Sequence, residues 1–334
     1  MKIGKASWTF KKVYLQESAT AVGEVETDGP LSEYFDIKDR DPYFGQKSWE
    51  QAEMYMLKLA IDKSIEKAGI QQTDINVAFG GDLVNQLVPT HYAYREFDIP
   101  FFGVYSACAT MAESLLLASS FVEAGYADKA MASASSHNMM AEKQFRNPVE
   151  YGGPKGDTAQ FTATAAGVGI VGFTASKVRI ESATAGIIVD AMQNNPSDMG
   201  SAMAPAAAQT IKQHFEDLGT QPEDYDLILT GDLSQIGSPI LIDLLAEAGY
   251  DISTVHNDCG KMIYGDNKSV FAGGSGAGCS AAVVYGYIVD QIRKKQLNKV
   301  LVVATGALLN PLIMAQKETI PCIAHAVVLS ATPN

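Results

Sequence analysis

The stretch FFGVYSACATMAESLLLASSFVEAGYADKAMASASS, residues 101–136, decides the fold, because it passes from strand to helix to strand with a cysteine at the first junction. The apolar pattern predicts a helix from about Cys108 to Glu123, and Gly125 suits the left-handed position that ends a helix. A strand is predicted over residues 129–136. This strand–helix–strand order is typical of α/β proteins with a mostly parallel sheet.

The same pattern occurs a second time at residues 271–306, which align with residues 101–136 without a gap. The identical pairs are Phe101/Phe271, Gly103/Gly273, Ala107/Ala277, Ala112/Ala282, Lys129/Lys299 and Ala134/Ala304. Upstream, Gly81-Asp82-Leu83 is repeated as Gly231-Asp232-Leu233. The chain is therefore predicted to be an internal duplication, with a first half over residues 1–180 and a second half over residues 181–334. Its 334 residues agree with two domains of ordinary size.

The composition excludes several classes of protein. A net charge of −13 argues against a nucleic-acid partner and weakens any electrostatic docking on anionic lipid. The four cysteines form no CxxC pair, so a zinc site is not expected, and free thiols in a reducing compartment are. The first residues lack the apolar core of a signal peptide, and no apolar run is long enough to span a membrane. We therefore expect an intracellular protein.

Other elements follow from caps and periodicity. Ser48 and Gln51 have capping-box spacing at the start of a helix that ends at Gly69. A helix is also predicted near Ser238, with Pro239 at its first position. Residues 138–160 are mostly polar, contain several Gly and Pro residues and show no hydrophobic periodicity. This pattern predicts a long connection with a functional or interface role.

Cys108 is the first candidate for chemistry, because a helix N-terminus stabilises a thiolate or a bound carboxylate. A buried, inert cysteine is the competing interpretation. Ser135, Ser136 and His137 end a strand, where ligands collect in open α/β sheets, and a turn with capping serines is the competing interpretation. His325 lies in an apolar segment, where a histidine is more often a hydrogen-bonded core residue.

Two further segments are candidates in the second half. Gly273–Gly278 resembles a phosphate loop but lacks the Lys-Ser/Thr ending of one, so a close-approach turn beside the site is the better interpretation. Asp232 follows a predicted strand and could be a general base, a ligand contact or a helix cap.

Taken together, these stretches resemble the thiolase superfamily, which includes thiolases and the initiating ketoacyl synthases. The resemblance is closest to a spore-associated branch of that superfamily and spans nearly the whole chain. The stretches that carry it are SSHN with EKQFR, DMGSAMAPAAA, YDLILTGDLS, HNDCGKMIY, FAGGSGAG, VLVVATGALL and IPCIAHAVV. The resemblance implies an α/β, duplicated, five-layer α/β/α/β/α fold with two mixed, mostly parallel sheets. It also implies that Cys108 occupies the position of the superfamily's nucleophile.

The sequence departs from the catalytic members. They carry His, or His and Asn, on two loops of the second half, where this chain has Asp232-Leu233-Ser234 and Gly274-Ser275-Gly276. A Claisen condensation needs a base and an oxyanion hole besides a thiolate. The resemblance therefore implies a non-catalytic protein, without a cofactor or metal of its own. It would bind dipicolinic acid (pyridine-2,6-dicarboxylic acid), with Ca²⁺ carried as the chelate, for uptake into spores and release at germination.

The implied pocket combines residues from both halves: Cys108, Ser135, Ser136, His137, Arg146, Asp232, Ser275 and His325. The implied partners are integral-membrane subunits of the same sporulation channel and a second copy of the chain. The implied location is peripheral on the inner membrane of the developing spore. A cysteine acyltransferase acting on thioesters is the alternative function, and a structural subunit without a ligand is a third.

Overall fold

The computed structural model describes residues 1–145 and 155–333. The strands are β1 Lys2–Ile3, β2 Ser7–Thr9, β3 Tyr14–Val22, β4 Ile37–Lys38, β5 Val77–Gly81, β6 Phe101–Gly103, β7 Lys129–Ser136, β8 Phe161–Thr162, β9 Ala165–Gly172, β10 Val178–Thr184, β11 Leu227–Thr230, β12 His256–Asp258, β13 Gly274–Ser275, β14 Lys299–Ala307 and β15 Cys322–Ala331. The helices are α1 Glu24–Thr27, α2 Trp49–Ala68, α3 Val88–Tyr94, α4 Thr110–Glu123, α5 Asn138–Phe145, α6 Met199–Leu218, α7 Ser234–Glu247, α8 Cys259–Met262, α9 Ala277–Ala282, α10 Val289–Arg293 and α11 Pro311–Ala315, with a π-helical segment at Val283–Ile288 between α9 and α10.

The sheet order confirms the duplication. The first half has the order β6-β5-β7-β9-β3 and the second half has β12-β11-β14-β15-β10. In each half the strand fourth in this order, β9 or β15, is antiparallel to both neighbours, and the remaining strands run in one direction. The two half-sheets have the same strand order and the same reversed strand, which confirms the predicted fold class, and pairing of β3 with β10 joins them into one 13-stranded sheet.

The five layers follow from where the helices pack. Helix α2 covers the outer face of the first sheet, and α6 covers the outer face of the second. Helices α4 and α9 lie between the sheets, α4 contacting β14 and β15 and α9 contacting β7 and β9. Helix α4 buries residues on all sides, as a central helix must, because both of its faces meet a sheet.

The halves are also joined at their edges. Strands β3 and β10 pair at Leu15/Val178 and Tyr14/Arg179, and β2 pairs antiparallel with β10. Asp217 of α6 accepts hydrogen bonds from the backbone amides of Lys5 (2.9 Å) and Ala6 (2.8 Å), so the start of the chain is fixed to the second half. The boundary predicted at residues 180/181 falls within β10 and stays a prediction.

Several local predictions are confirmed. The Ser48 side chain caps α2 by accepting from the Gln51 amide at 3.3 Å, and Gly69 ends that helix with φ 64°. Strand β7 has the predicted bounds, Lys129–Ser136. The four cysteines are free and buried. No helix within the two described ranges is long and apolar enough to cross a bilayer.

Three local predictions are wrong. Pro239 lies inside α7 rather than at its first position, because the helix starts earlier, at Ser234. The counterpart of β6 in the sheet order is β12, so Phe271, which follows a short 3-10 helix and forms an isolated bridge with Gln160, does not occupy the place of Phe101. Residues 138–145 form α5 rather than an unstructured connection.

Candidate functional site

A cavity of about 250 Å³ opens between the two halves, beside the N-terminal end of α4. Its lining mixes apolar and aromatic side chains with a small number of polar groups. The lining residues are Leu83, Tyr105, Ala107, Cys108, Ala141, Glu142, Phe145, Ala159, Gln160, Thr162, Pro196, Ser197, Met199, Ser275, Ala307 and Leu309.

Cys108 lies at the junction that the sequence indicated, in the turn that leads into α4. Ala107 before it has φ 50°, a backbone conformation that is uncommon for a residue with a side chain and is often found at functional sites. The turn is held by hydrogen bonds from the Ala109 amide to the Ser106 carbonyl (3.0 Å) and from the Thr110 amide to the Ala107 carbonyl (3.2 Å). Cys108 is 7% exposed, and its Sγ lies 3.8 Å from Ser275 Oγ.

The thiol is held in its protonated form. Burial raises the pKa of Cys108 well above its usual range, and the negative charge of Asp232 raises it further. The sequence suggested that the helix N-terminus would stabilise a thiolate. In the structure, burial and the neighbouring carboxylate outweigh that effect, which favours the inert interpretation of this cysteine.

Asp232 organises the polar floor of the site from the second half. Its carboxylate accepts from Thr305 Oγ1 (2.6 Å), Ser275 Oγ (2.9 Å) and the Gly276 amide (3.2 Å), and it is fully buried. Burial raises the pKa of Asp232, and these hydrogen bonds oppose that rise. The predicted residues Cys108, Asp232 and Ser275 are thus brought together in one network.

Ser135, Ser136 and His137 do not line the cavity. Ser135 Oγ donates to Glu53 Oε1 (2.9 Å) on α2, and the His137 imidazole bonds the Pro42 carbonyl (2.8 Å) on the same side. Ser136 faces the other way, donating to the Ala163 carbonyl (2.7 Å). Side chains alternate across a strand, so the three could not all point to one pocket.

His325 lies beside the turn that carries Cys108 and forms a hydrogen bond with Ser106. It stands opposite Ala304 in the β14–β15 pair, and its Nε2 lies 3.2 Å from Ser106 Oγ. Its Nδ1 accepts from the Gly186 amide (3.2 Å), which assigns the proton to Nε2. Burial lowers the pKa of His325 to about 4, so the imidazole is neutral. Arg146, the remaining predicted residue, lies outside the described residues.

Three residues that line the cavity were not predicted from the sequence. Tyr105 and Phe145 contribute aromatic rings, and burial raises the pKa of Tyr105 to about 12. Gln160 is 8% exposed, and its Nε2 donates to the Asp232 carbonyl. Tyr105 stood within the deciding stretch, only three residues before Cys108. Gln160 had no such signal, because it lies in a segment without periodicity.

The structure resembles solved condensing enzymes. A substituted form of OleA from Xanthomonas campestris superposes with a TM-score of 0.63 at 13% identity, covering 96% of this chain and 99% of that one. The 3-oxoacyl-(acyl carrier protein) synthase III, FabH, of Xanthomonas oryzae pv. oryzae has a TM-score of 0.61 at 15% identity with the same coverage. At these identities the likeness shows a thiolase-like fold and leaves the activity open.

Sequence comparison is more specific. The profile of the family described as Stage V sporulation protein AD (SpoVAD) matches residues 4–330. The Stage V sporulation protein AD of Bacillus subtilis (strain 168) is 49% identical over 326 residues, which cover 97% of this chain and 96% of that protein. The chain therefore belongs to the Stage V sporulation protein AD family.

Proposed function

We propose that this sporulation protein binds dipicolinic acid, free or as its calcium chelate, in the cavity beside Cys108, and that it catalyses no reaction there. Binding would serve uptake of the ligand into the developing spore and its release at germination. The observation that carries the proposal is the cavity itself, which is small and whose lining combines the aromatic rings of Tyr105 and Phe145 with several polar side chains.

The size of the cavity favours a single flat ring. Its volume of about 250 Å³ lies below the ~300–1,000 Å³ of most sites for drug-sized ligands. The rings of Tyr105 and Phe145 offer faces or edges against which an aromatic ligand packs favourably.

The polar lining supports recognition of carboxylates. Tyr105 and Thr162 bring hydroxyl groups to the cavity, and a hydrogen bond to a charged group contributes about 1.5–3 kcal/mol. Lys155 lies beside the lining, with its Nζ 2.7 Å from Glu142 Oε1. This ion pair offsets the negative charge of Glu142 at the cavity wall.

The same geometry argues against condensing chemistry. The Cys108 thiol is protonated, and Asp232 and Ser275 stand where the superfamily resemblance implied His and Asn. His325 is neutral and bonded to Ser106, so it is not positioned to deprotonate Cys108. The carboxylate beside Cys108, that of Asp232, already accepts from Thr305, Ser275 and the Gly276 amide, and these hydrogen bonds weaken it as a base for the thiol.

Calcium would enter the cavity as cargo, carried by the ligand. Within residues 1–145 and 155–333 no group of three or more His, Cys, Asp or Glu side chains is arranged to hold a metal ion. The pyridine nitrogen and two carboxylates of the ligand would themselves chelate Ca²⁺, which prefers oxygen ligands.

The test is calorimetry with dipicolinate, with and without Ca²⁺, and with acetyl-CoA. We expect saturable binding of dipicolinate and neither binding nor turnover of acetyl-CoA. Tyr105→Ala should weaken dipicolinate binding about tenfold or more, because it removes a ring face and a hydroxyl. Tyr126→Ala is the matched control, since Tyr126 is 77% exposed and lies outside the cavity.

Two results would reverse the assignment. Turnover of acetyl-CoA that disappears in Cys108→Ala would favour the acyltransferase. Absence of any saturable ligand would favour a structural subunit.

Assembly is part of the proposal. We expect a homodimer through β6, an edge strand on which Phe102 is 52% exposed. An exposed apolar edge strand is a template for pairing with a second chain. We further propose that the protein docks on integral-membrane subunits of the sporulation channel and is thereby peripheral on the spore inner membrane.

A further inference from the structure

A buried glutamate outside the cavity lining joins the two halves behind strand β8. Glu26 lies on α1 and is 1% exposed. Its Oε1 accepts from the backbone amide of Thr164 (3.1 Å) in the first half and from the hydroxyl of Tyr264 in the second half. One carboxylate oxygen therefore holds a segment of each half.

These two contacts hold β8 at both of its residues. Thr164 follows β8 by two positions, so the bond from its amide fixes the chain just after Thr162, which lines the cavity. The ring of Tyr264 packs edge-on against that of Phe161, the first residue of β8, with ring centroids 5.6 Å apart. Glu26 is thus a support for the strand that brings Thr162 to the ligand.

The support extends to a second part of the cavity wall. Strand β8 pairs in parallel with β13, which sets Thr162 beside Ser275, another lining residue. The Ala163 amide also donates to the Ser275 carbonyl (2.8 Å). A shift of β8 would therefore change the wall on both strands, and a ligand that has to order the wall binds less tightly than one that meets it ordered.

Glu26 changes its charge near neutral pH. Burial raises the pKa of Glu26 from 4.5 to about 7, and the hydrogen bond from Tyr264 opposes that rise. The titratable groups on this side are the Tyr264 phenol and, behind it, the Cys279 thiol of α9. Burial raises the pKa of each of these two groups well above its usual range, so both stay neutral between pH 6 and pH 8.

We infer that Glu26 is a positioning residue, whose ionised carboxylate holds β8 in the place that ligand binding needs, so that binding weakens when Glu26 takes up a proton. The inference rests on the proposed function. Hydrogen bonds to a charged acceptor are roughly twice as strong as those to a neutral one. Protonation therefore loosens the contacts to Thr164 and Tyr264 and, through them, the wall at Thr162.

The test is calorimetry of the full chain with dipicolinate at several pH values between 6 and 8. The ligand is a dianion throughout this range, because carboxyl groups ordinarily have a pKa near 4. The affinity of the parent should rise about fivefold from pH 6 to pH 8.

Glu26→Gln keeps the size of the side chain and is neutral at every pH. It should bind dipicolinate within about twofold of the parent at pH 6 and about fivefold or more weakly at pH 8, whereas general loosening of the cavity would weaken binding at both. Titration of Asp258 is present in parent and variant alike and cancels in the comparison. Glu53→Gln is the matched control, because Glu53 is also 1% exposed but lies on α2 and accepts from Ser135, away from β8. This control should keep the pH profile of the parent.

Tyr264→Phe tests the same inference when Glu26→Gln fails to fold. The variant loses the hydrogen bond that holds the pKa of Glu26 down, so the midpoint of the affinity profile should move to higher pH.

Each outcome decides the inference. If the parent binds dipicolinate equally at pH 6 and pH 8, if folded Glu26→Gln keeps the parent's profile, or if folded Tyr264→Phe keeps its midpoint, Glu26 does not act on binding through its charge, and the proposed function stands without it. If the parent binds no dipicolinate at any pH, the proposed function fails and this inference fails with it.

Discussion

Each half places an aspartate at the equivalent point, after the second strand of its sheet order, but the two carboxylates accept hydrogen bonds from different parts of the protein. Asp82 follows β5, and its carboxylate accepts from the Val84 amide (2.7 Å), the Thr90 amide (2.9 Å) and Thr90 Oγ1 (2.6 Å), all in the loop and helix α3 that directly follow β5. Asp232 follows β11 and instead reaches Thr305, Ser275 and Gly276, which belong to other segments.

A second aspartate makes this difference possible. In the second half, Asp258 holds the loop after the strand, accepting from the Leu233 amide (2.8 Å), the Ser234 amide (2.9 Å) and Thr230 Oγ1 (2.6 Å). Asp258 therefore does for the second half what Asp82 does for the first. Once the loop is held by another residue, the aspartate at the strand end is available to the site.

The strongest test of this comparison replaces each strand-end aspartate by alanine. Asp232→Ala should destabilise the fold by about 3 kcal/mol or more, because it leaves buried donors unpaired, and it should abolish dipicolinate binding. Asp82→Ala should destabilise to a similar degree but leave the folded fraction able to bind. Urea unfolding and calorimetry measure both effects. Equal loss of binding in the two folded variants would mean that the halves do not differ as described.

A second test concerns Asp258 and pH. Burial raises the pKa of Asp258 from 3.8 to about 6, and the charge of Asp232 contributes to the rise. The carboxyl of Asp258 therefore binds a proton more tightly in the folded protein than in the unfolded chain. As pH rises from about 4 to about 6, the carboxyl loses this proton, and burying its charge lowers the free energy of unfolding. The loss amounts to about 3 kcal/mol and is complete above that window.

In Asp258→Asn this loss should be absent. Between pH 4 and pH 7 the free energy of unfolding of the parent should fall by about 3 kcal/mol relative to the variant, measured by urea titration at each pH. If the free energy of unfolding depends on pH in the same way in parent and variant, the ionisation of Asp258 does not destabilise the fold.

The edge strands of the two halves also differ. In β6, Phe102 is 52% exposed, whereas β12 is half-buried or buried throughout. If the first half alone provides the dimer surface, Phe102→Lys should weaken self-association about tenfold or more in sedimentation experiments. Leu312→Lys is the control, because Leu312 is 74% exposed and lies on α11 in the second half. A parent that stays monomeric at high concentration would contradict the dimer.

The smallest expected effect is on the reactivity of Cys108. Because Asp232 raises the pKa of this thiol, Asp232→Asn should make alkylation of Cys108 by iodoacetamide at pH 8 severalfold faster. Peptide mapping by mass spectrometry follows Cys108, with fully buried Cys259 reporting any global opening. Unchanged alkylation of Cys108 would show that burial alone protects it.

Much of the fold could be predicted from local sequence. The α4 and β7 segments have strong periodicity, and their repeat at α9–α10 and β14 keeps the same register, so the duplication was visible without a structure. The predicted alignment of Phe101 with Phe271 is wrong, because the second half has α8 and a turn between β12 and helix α9 that the first half lacks. Local similarity does not reveal such an insertion.

The site was less predictable, because its residues are far apart in the sequence and only folding brings them together. Cys108, Asp232 and Ser275 were found because each stands at the junction of a predicted element or in a glycine-rich turn. Gln160 has neither signal, and its position depends on pairing with a segment of the other half. Ser135 and His137 were expected at the ligand because they end a strand. Their side chains instead point to the face of the sheet that α2 covers, and the sequence did not show which face they would take.

The attachment of the N-terminal segment to Asp217 has a consequence for synthesis of the protein. Lys5 and its partner are separated by 212 positions in the chain. At ribosomal rates of about 5–20 residues per second, the interval between making the two is roughly 10–40 s. For most of that time, until β10 is made, β2 has no partner strand, so the first half must stay soluble with an incomplete edge. Nascent chains stalled before β10 should therefore be the species most dependent on chaperones.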